Sequence, residues 1–309
     1  MEVKKPFLKW VGGKTQILDE VMMQFPKHIN NYLEPFLGGG SVLIALLTCK
    51  MNGVIQVDGK IFASDLNPML ISLYKHVQTS PMQLISEVKK ISDEYRKCKI
   101  DSCVIENSNP LSIEDAMSSP KSYYYWTRNK FNSLSKENRC SVHGSAMFLF
   151  LNKTCFRGLY REGPNGFNVP FGNYKNPTII DEEHIQYLSK LFKDVIFSCN
   201  SFEILIEKAQ QGDFVYLDPP YAPESDISFV SYTKQGFDMK AIQHLFHLCS
   251  GMKEKEVRML MSNSEVEFVK TTFPSLLYKT KIISCKRAIN SKNPTARTNE
   301  VLISNFTEG

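Results

Sequence analysis

The 309-residue sequence predicts an α/β fold: a mostly parallel sheet with helices on both faces, an antiparallel hairpin at one edge, and an inserted, mostly helical module. Three observations carry this reading. Short β-rich runs alternate with helical segments at both ends of the chain, as crossover connections in a parallel sheet require. The alternation is lost between about 80 and 180. The last two strand-like runs follow one another without a helix between them, which implies antiparallel pairing.

Taken in order, 32–36 reads as a strand running into glycines, with a helix over 41–50 behind it. A second strand, 60–64, ends at Asp65 and is followed by a helix over 68–79. After the middle region come a strand at 194–198, a helix from Phe202 and a strand at 214–217. A helix over 238–254, a strand at 257–261, a short helix after Ser264, and strands near 276–282 and 300–305 complete the pattern. In the middle, 94–120 is polar and its Asn-Ser-Asn-Pro and Ser-Ser-Pro runs predict exposed loop. Tyr123-Tyr124-Tyr125-Trp126 begins a helix with an aromatic face, and 152–177 is dense in Gly, Asn, Arg and aromatic residues. The expected division is one domain of 1–79 and 181–309, interrupted by a module of 80–180.

Composition narrows the class. With 42% hydrophobic and 22% charged residues the chain can bury a sizeable core without staples. No segment approaches ~18 uninterrupted apolar residues, and the N-terminus lacks the apolar stretch of a secretory signal. Eight scattered cysteines, none in a Cys-x-x-Cys pair, suggest reduced thiols and an intracellular setting. His244, His247 and Cys249 share a helix where such residues serve packing or surface, so no metal is expected. The net charge of +5 is modest, but Lys4, Lys5, Lys9 and Lys14 crowd one end of the chain. Lys279, Lys281, Lys286, Arg287, Lys292 and Arg297 crowd the other; if the two ends meet in space they make a positive wall for a phosphate backbone, and otherwise a solvated surface.

Four motifs carry chemistry. Asp218-Pro219-Pro220-Tyr221 ends the apolar run 214–217. Neither proline can donate to a sheet, so the strand must stop there, delivering a carboxylate, a carbonyl and an aromatic ring to the edge where ligands of α/β sheets sit. Such an acceptor pair beside a ring suits a flat amino-bearing base such as adenine. Glu34-Pro35-Phe36-Leu37-Gly38-Gly39-Gly40-Ser41 places three glycines where a strand turns into a helix, a loop that can wrap a ligand. Its spacing is not the dinucleotide fingerprint, whose third glycine would fall on Leu43. Asp65 stands where a ribose hydroxyl acceptor belongs, or where a cap for the following helix would. Finally, Trp10-Val11-Gly12-Gly13-Lys14-Thr15 fails as a triphosphate loop, because the required glycine is Leu8, but Trp10 and Lys14 beside a diglycine could close over a small ligand.

Taken in chain order, 7–14, 32–42, Asp65, 152–174, 218–221 and 300–305, these motifs resemble the DNA adenine-N6 methyltransferases of the Dam-like family. The resemblance implies a Rossmann-like, S-adenosylmethionine-dependent methyltransferase sheet with an inserted DNA-recognition module. It implies that Trp10 and Lys14 contact the cofactor, that Glu34 and the loop of Phe36, Gly38, Gly39, Gly40 and Ser41 surround its methionine part, that Asp65 holds its ribose, and that Asp218 also lines the cofactor site. Asn200-Ser201-Phe202 lacks the acidic residue that many relatives carry before the phenylalanine. Asp218 and the Pro219 carbonyl are expected to accept from the two N–H groups of the target amine, localising its lone pair for direct displacement, with Tyr221 stacking on a base flipped from the duplex. No cysteine follows a proline, as a cytosine-C5 nucleophile would. In the module, the resemblance places Phe156 in the DNA stack, Arg157 on phosphate, and Lys9 on the first guanine of GATC. Leu159, the guanine-reading Arg161 and Pro170 of Asn168-Val169-Pro170-Phe171-Gly172 match GATC-specific relatives, whereas Asn173 stands where arginine is frequent. The partner expected is double-stranded DNA, the chain a monomer or weak dimer. An RNA adenine methyltransferase and a catalytically inactive DNA-binding relative are the alternatives, opposed respectively by the recognition-type segment and by the intact Asp218 and glycine loop.

Overall fold

In the strand Phe214–Leu217 every side chain is buried, and alternate residues serve opposite faces. Phe214 joins Phe25 and Tyr32 in an aromatic cluster that Tyr216 extends. Val215 and Leu217 instead enter a core with Leu33, Phe202, Leu245, Met259, Met261 and Val301. A strand covered on both sides belongs at the centre of a parallel sheet. The computed structural model places it there, and describes residues 3–98, 107–222, 237–286 and 297–307.

Among the described residues seven strands form this sheet: β1 (Tyr32–Glu34), β2 (Ile61–Ser64), β3 (Val195–Ser198), β4 (Phe214–Leu217), β5 (Arg258–Ser264), β6 (Lys279–Lys286) and β7 (Arg297–Ser304). Their order is β6-β7-β5-β4-β1-β2-β3. β5, β4, β1, β2 and β3 are mutually parallel, and β7 is antiparallel to both β5 and β6. The parallel sheet with an antiparallel edge hairpin is the arrangement expected from the sequence. From β1 the chain moves outward to β2 and β3, then returns to the other side of β1 as β4. The carboxyl ends of β1 and β4 therefore flank the switch point, where ligands bind in open α/β sheets. At the opposite end of β4, buried Asp213 accepts from the Asn31 backbone N–H at 3.0 Å and from both asparagine side chains, Asn30 and Asn31, fixing the start of β1 to that of β4.

The chain divides into two compact units. The first comprises 1–4, 14–66 and 194–309 and holds the sheet; the second comprises 5–13 and 67–193. The second unit thus takes in the Pro68–Thr79 and Glu182–Leu191 helices and the segment 5–13, in addition to 80–180. Its centre is the Val142–Thr154 helix, buried along nearly its whole length. Helices Pro81–Lys97 and Pro120–Ser133 pack around it, their starts set by prolines whose missing N–H is harmless there. The exposed loop expected over 94–120 is corrected at both its described ends. The helix Pro81–Lys97 continues through Glu94, because Leu84, Val88, Ile91 and Tyr95 keep a buried face at helical spacing, and Ile113–Ala116 forms a helical turn capped by Ser112. The stretch 99–106 lies outside the described residues.

Candidate active site

The first unit assembles the tetrapeptide, the glycine loop and Lys14. At the end of β4, Asp218 Oδ1 takes an ion pair from Lys14 Nζ at 2.7 Å and a hydrogen bond from Ser262 Oγ at 3.0 Å. Tyr216 supports this through its own hydroxyl, 3.2 Å from Ser262 Oγ. Burial raises the Asp218 pKa, and Lys14 opposes that rise. Lys14 itself is only 4% exposed, which corrects its expected place in a basic surface: an ammonium so deep needs the carboxylate it has found. Its ammonium also lies over the Tyr221 ring, 4.9 Å from the centroid. Lys281 pairs with Glu20, while Arg287, Lys292 and the side chains of Lys286 and Arg297 lie outside the described residues.

Two prolines leave the tetrapeptide without backbone donors at 219 and 220, and the neighbouring strand supplies the missing restraints. Asn263 Oδ1 accepts from the Ala222 N–H at 3.0 Å, and Ser264 Oγ donates to the Ala222 carbonyl at 2.7 Å. Sequence reasoning ended this strand at Met261 and gave Ser262, Asn263 and Ser264 no role. A polar triplet after an apolar run reads as a turn, yet all three are buried. Their signal was composition out of place: small polar residues continuing a central strand at its carboxyl end.

At the end of β1, Glu34 is wholly buried and accepts from the Tyr32 hydroxyl at 2.7 Å. Burial pushes its pKa up to about 8, with the nearby Asp218 charge adding to the rise. Beyond it, Gly38 and Gly40 take positive φ values of 49° and 69°, a conformation that side-chain-bearing residues adopt only with strain. Gly40 opens the Ser41–Met51 helix, and Ser41 Oγ accepts from the Lys14 backbone N–H at 3.2 Å. At the tip of β2, Asp65 Oδ2 accepts from the Gly38 N–H at 3.0 Å. Asp65 therefore braces the glycine loop; the capping alternative is taken by Asn67, whose side chain accepts from Met69 and Leu70. Phe36 stacks on Phe202 with ring centroids 5.5 Å apart.

The second unit holds the residues matched to DNA recognition. Asn152 clamps Lys9 by its backbone, accepting from its N–H at 3.0 Å and donating to its carbonyl at 2.7 Å. The Lys9 ammonium lies 3.7 Å from the Tyr174 ring centroid and donates to the Lys153 carbonyl. Gly158, at φ 65°, lies against the Lys9 stem where any Cβ would overlap it. Phe156 is 44% exposed, so it is not a core residue. The backbone reverses beside it through Arg157 at φ 57°, whose guanidinium stands over the Phe156 ring at 5.2 Å. Leu159 is half-buried, and Pro170 is exposed with its carbonyl accepting from the Phe156 N–H at 2.8 Å. A hairpin over 162–167 separates Arg161 from Asn168, and the two meet again through Arg161 Nε to Asn168 Oδ1 at 2.6 Å. Asn173 has φ 51°, a left-handed geometry that asparagine tolerates better than most side-chain-bearing residues. Trp10 stacks on Tyr160 at 5.8 Å and meets Phe148 edge-on.

A parallel sheet whose switch point presents a glycine loop, a braced acid on the next strand and an Asp-Pro-Pro-Tyr carboxylate defines a Rossmann-like methyltransferase. More narrowly, residues 10–289 match the profile of the D12 class N6 adenine-specific DNA methyltransferases, and the chain belongs to that family. It is 38% identical over 317 residues to the type II methyltransferase M.MjaIII of Methanocaldococcus jannaschii, covering 99% of this chain and 100% of the relative. It is 31% identical over 296 residues to a DNA adenine methylase of Haemophilus influenzae, covering 95% and 90%. A type II methyltransferase of Lactococcus lactis, M1.LlaDCHI, is 30% identical over 307 residues, covering 98% and 95%. The chain is accordingly a site-specific, adenine-specific DNA methyltransferase.

Proposed function

We propose that this enzyme methylates the exocyclic N6 of adenine within GATC in duplex DNA, using S-adenosylmethionine and a flipped-out target base. The observation that carries the chemistry is the division of labour on Asp218. Lys14 and Ser262 both bind Oδ1, which leaves Oδ2 to accept from one N–H of the target amine. The Pro219 carbonyl accepts from the other N–H. Two acceptors draw those protons out of the ring plane and localise the nitrogen lone pair, so that placement and electrostatics supply the rate. Lys14 opposes the rise that burial imposes on the Asp218 pKa, which favours the carboxylate as acceptor. Asp218 Oδ2, already accepting from the amine, is placed to receive the proton that the methylated nitrogen sheds.

The donor set fits S-adenosylmethionine. The Ser41–Met51 helix starts at Gly40 without a side-chain cap among the described residues, leaving backbone N–H groups for an amino-acid carboxylate. Glu34, Phe36, Gly38, Gly39 and Asp65 supply carboxyls, a ring and close-approaching backbone along the same edge. When bound, the cofactor supplies an electrophilic methyl group on a sulfonium. The role given to Trp10 as a further cofactor contact belongs to this proposal.

For the target sequence, Lys9 and Arg161 are the guanine readers, with Leu159 and Pro170 against the intervening bases. Arg161 is exposed and aimed by Asn168, as a bidentate reader must be; such a pair discriminates by about 1–3 kcal/mol. Phe156 fills the gap left by the flipped base, Arg157 lies at phosphate, and Tyr221 stacks on the extruded adenine. Plasmid treated with enzyme and cofactor, then digested with a nuclease blocked by GATC adenine methylation, should resist cutting. Complete cutting with methyl label incorporated elsewhere rejects GATC. Asp218→Ala should retain cofactor binding while losing about 100- to 1,000-fold or more in rate.

A further inference from the structure

A tyrosine that serves as a stacking surface needs its ring, not its hydroxyl. In Tyr221 the hydroxyl is nonetheless engaged: it donates to Glu300 Oε2 at 2.7 Å. Glu300 lies on β7, directly across from Ser264 of β5, the residue that holds the Ala222 carbonyl. Its neighbour Val301 and then Ile303 enter the hydrophobic core, so strand alternation puts Glu300 on the opposite face. The ring is thus held at the atom farthest from its backbone, while the Lys14 ammonium stands over its face. A bond at the para oxygen restrains both side-chain torsions of a tyrosine at once, and a hydroxyl-to-carboxylate bond is among the stronger hydrogen bonds available.

We infer that Glu300 is a positioning residue for methyl transfer, fixing the ring plane of Tyr221 by accepting from its hydroxyl so that the extruded base meets a surface already in place. The inference rests on Tyr221 being the stacking surface proposed above. The Glu300 charge also adds to the rise in the Asp218 pKa, so the Tyr221→Phe background is what separates positioning of the ring from that direct effect.

The test is single-turnover methyl transfer to a duplex oligonucleotide containing one target site, with full-length enzyme and saturating S-adenosylmethionine. Glu300→Ala and Tyr221→Phe should each slow the step by roughly ten- to a hundredfold, the range that small misplacements near a reacting centre produce. DNA affinity and the unfolding midpoint should stay near the wild-type values. Glu300→Gln retains an acceptor oxygen and should recover most of the rate. The combined Glu300→Ala, Tyr221→Phe enzyme should be no slower than the slower single variant. If Glu300→Ala slows the reaction equally in the wild-type and Tyr221→Phe backgrounds, the inference is overturned. If Glu300→Ala fails to fold, Tyr221→Phe decides: an undiminished rate overturns the inference. Absence of adenine methylation by the wild-type enzyme is a different failure, which removes the functional reading and this inference with it.

Discussion

Glu34→Gln isolates the electrostatic strain built into the floor of the site. Glu34 is wholly buried beside Asp218, and its pKa stands at about 8 against an ordinary value of 4.5. The folded protein therefore holds this proton more tightly than the unfolded chain does. Stability from this group is fully present below pH 4.5 and declines as pH rises towards 8. The slope is about 1.4 kcal/mol per pH unit, reaching about 5 kcal/mol above pH 8. Glutamine keeps an oxygen that can accept from the Tyr32 hydroxyl and has no proton to lose. Urea unfolding of both proteins at pH 5, 6, 7, 8 and 9 measures the effect as a difference, which cancels the titration of groups not coupled to Glu34. Glu34→Gln should gain on wild type progressively between pH 5 and pH 8 and then level off. A difference that stays constant across this range would show that Glu34 is ionised in the folded protein and refute the argument.

Three further outcomes follow from the geometry. Lys14→Met removes the ammonium 2.7 Å from Asp218, so the acid limb of the kcat/KM profile should move up by about 1–3 pH units; an unmoved limb separates Lys14 from the Asp218 titration. Phe156→Ala alters an exposed side chain and should change stability by no more than about 0.5 kcal/mol, while diminishing the fluorescence response of 2-aminopurine at the target. A large loss of stability with an unchanged response would contradict the wedge role. Gly158→Ala combines an unfavourable φ of 65° with overlap on the Lys9 stem, and should relax discrimination at the first guanine by about 1–3 kcal/mol; discrimination equal to wild type would show that Lys9 does not read that base.

Much of the sheet was legible because its signals are local. The Phe214–Leu217 strand is bounded by prolines, the Pro68–Thr79 helix by proline and serine, and the edge hairpin by the want of an intervening helix. What the sequence concealed depends on residues far apart in the chain. Lys14 looked like one lysine among several at a basic end; only its approach to Asp218, 204 positions later, shows why it is buried. Ser262, Asn263 and Ser264 look like a turn until β4 lies beside them with two prolines that cannot bond for themselves. Glu300 belonged to a segment of recognisable pattern, but nothing local indicates that it bonds to a tyrosine 79 residues earlier. The module was harder for a different reason. Its first long helix is polar on most of its surface, so a narrow buried stripe was easily read as loop near Glu94.

The position of β7 between β5 and β6 has a consequence for how the enzyme comes into being. Protein synthesis is vectorial. A growing chain has its glycine loop, its recognition helices and its tetrapeptide well before residues 297–304 leave the ribosome. At ordinary elongation rates the interval between Tyr221 and the end of β7 is roughly 4–16 s. Throughout it, β5 lacks its antiparallel neighbour and the Tyr221 hydroxyl lacks its acceptor. The Tyr221 hydroxyl is thus the last of these contacts to find its partner, on the strand that closes the gap in the sheet.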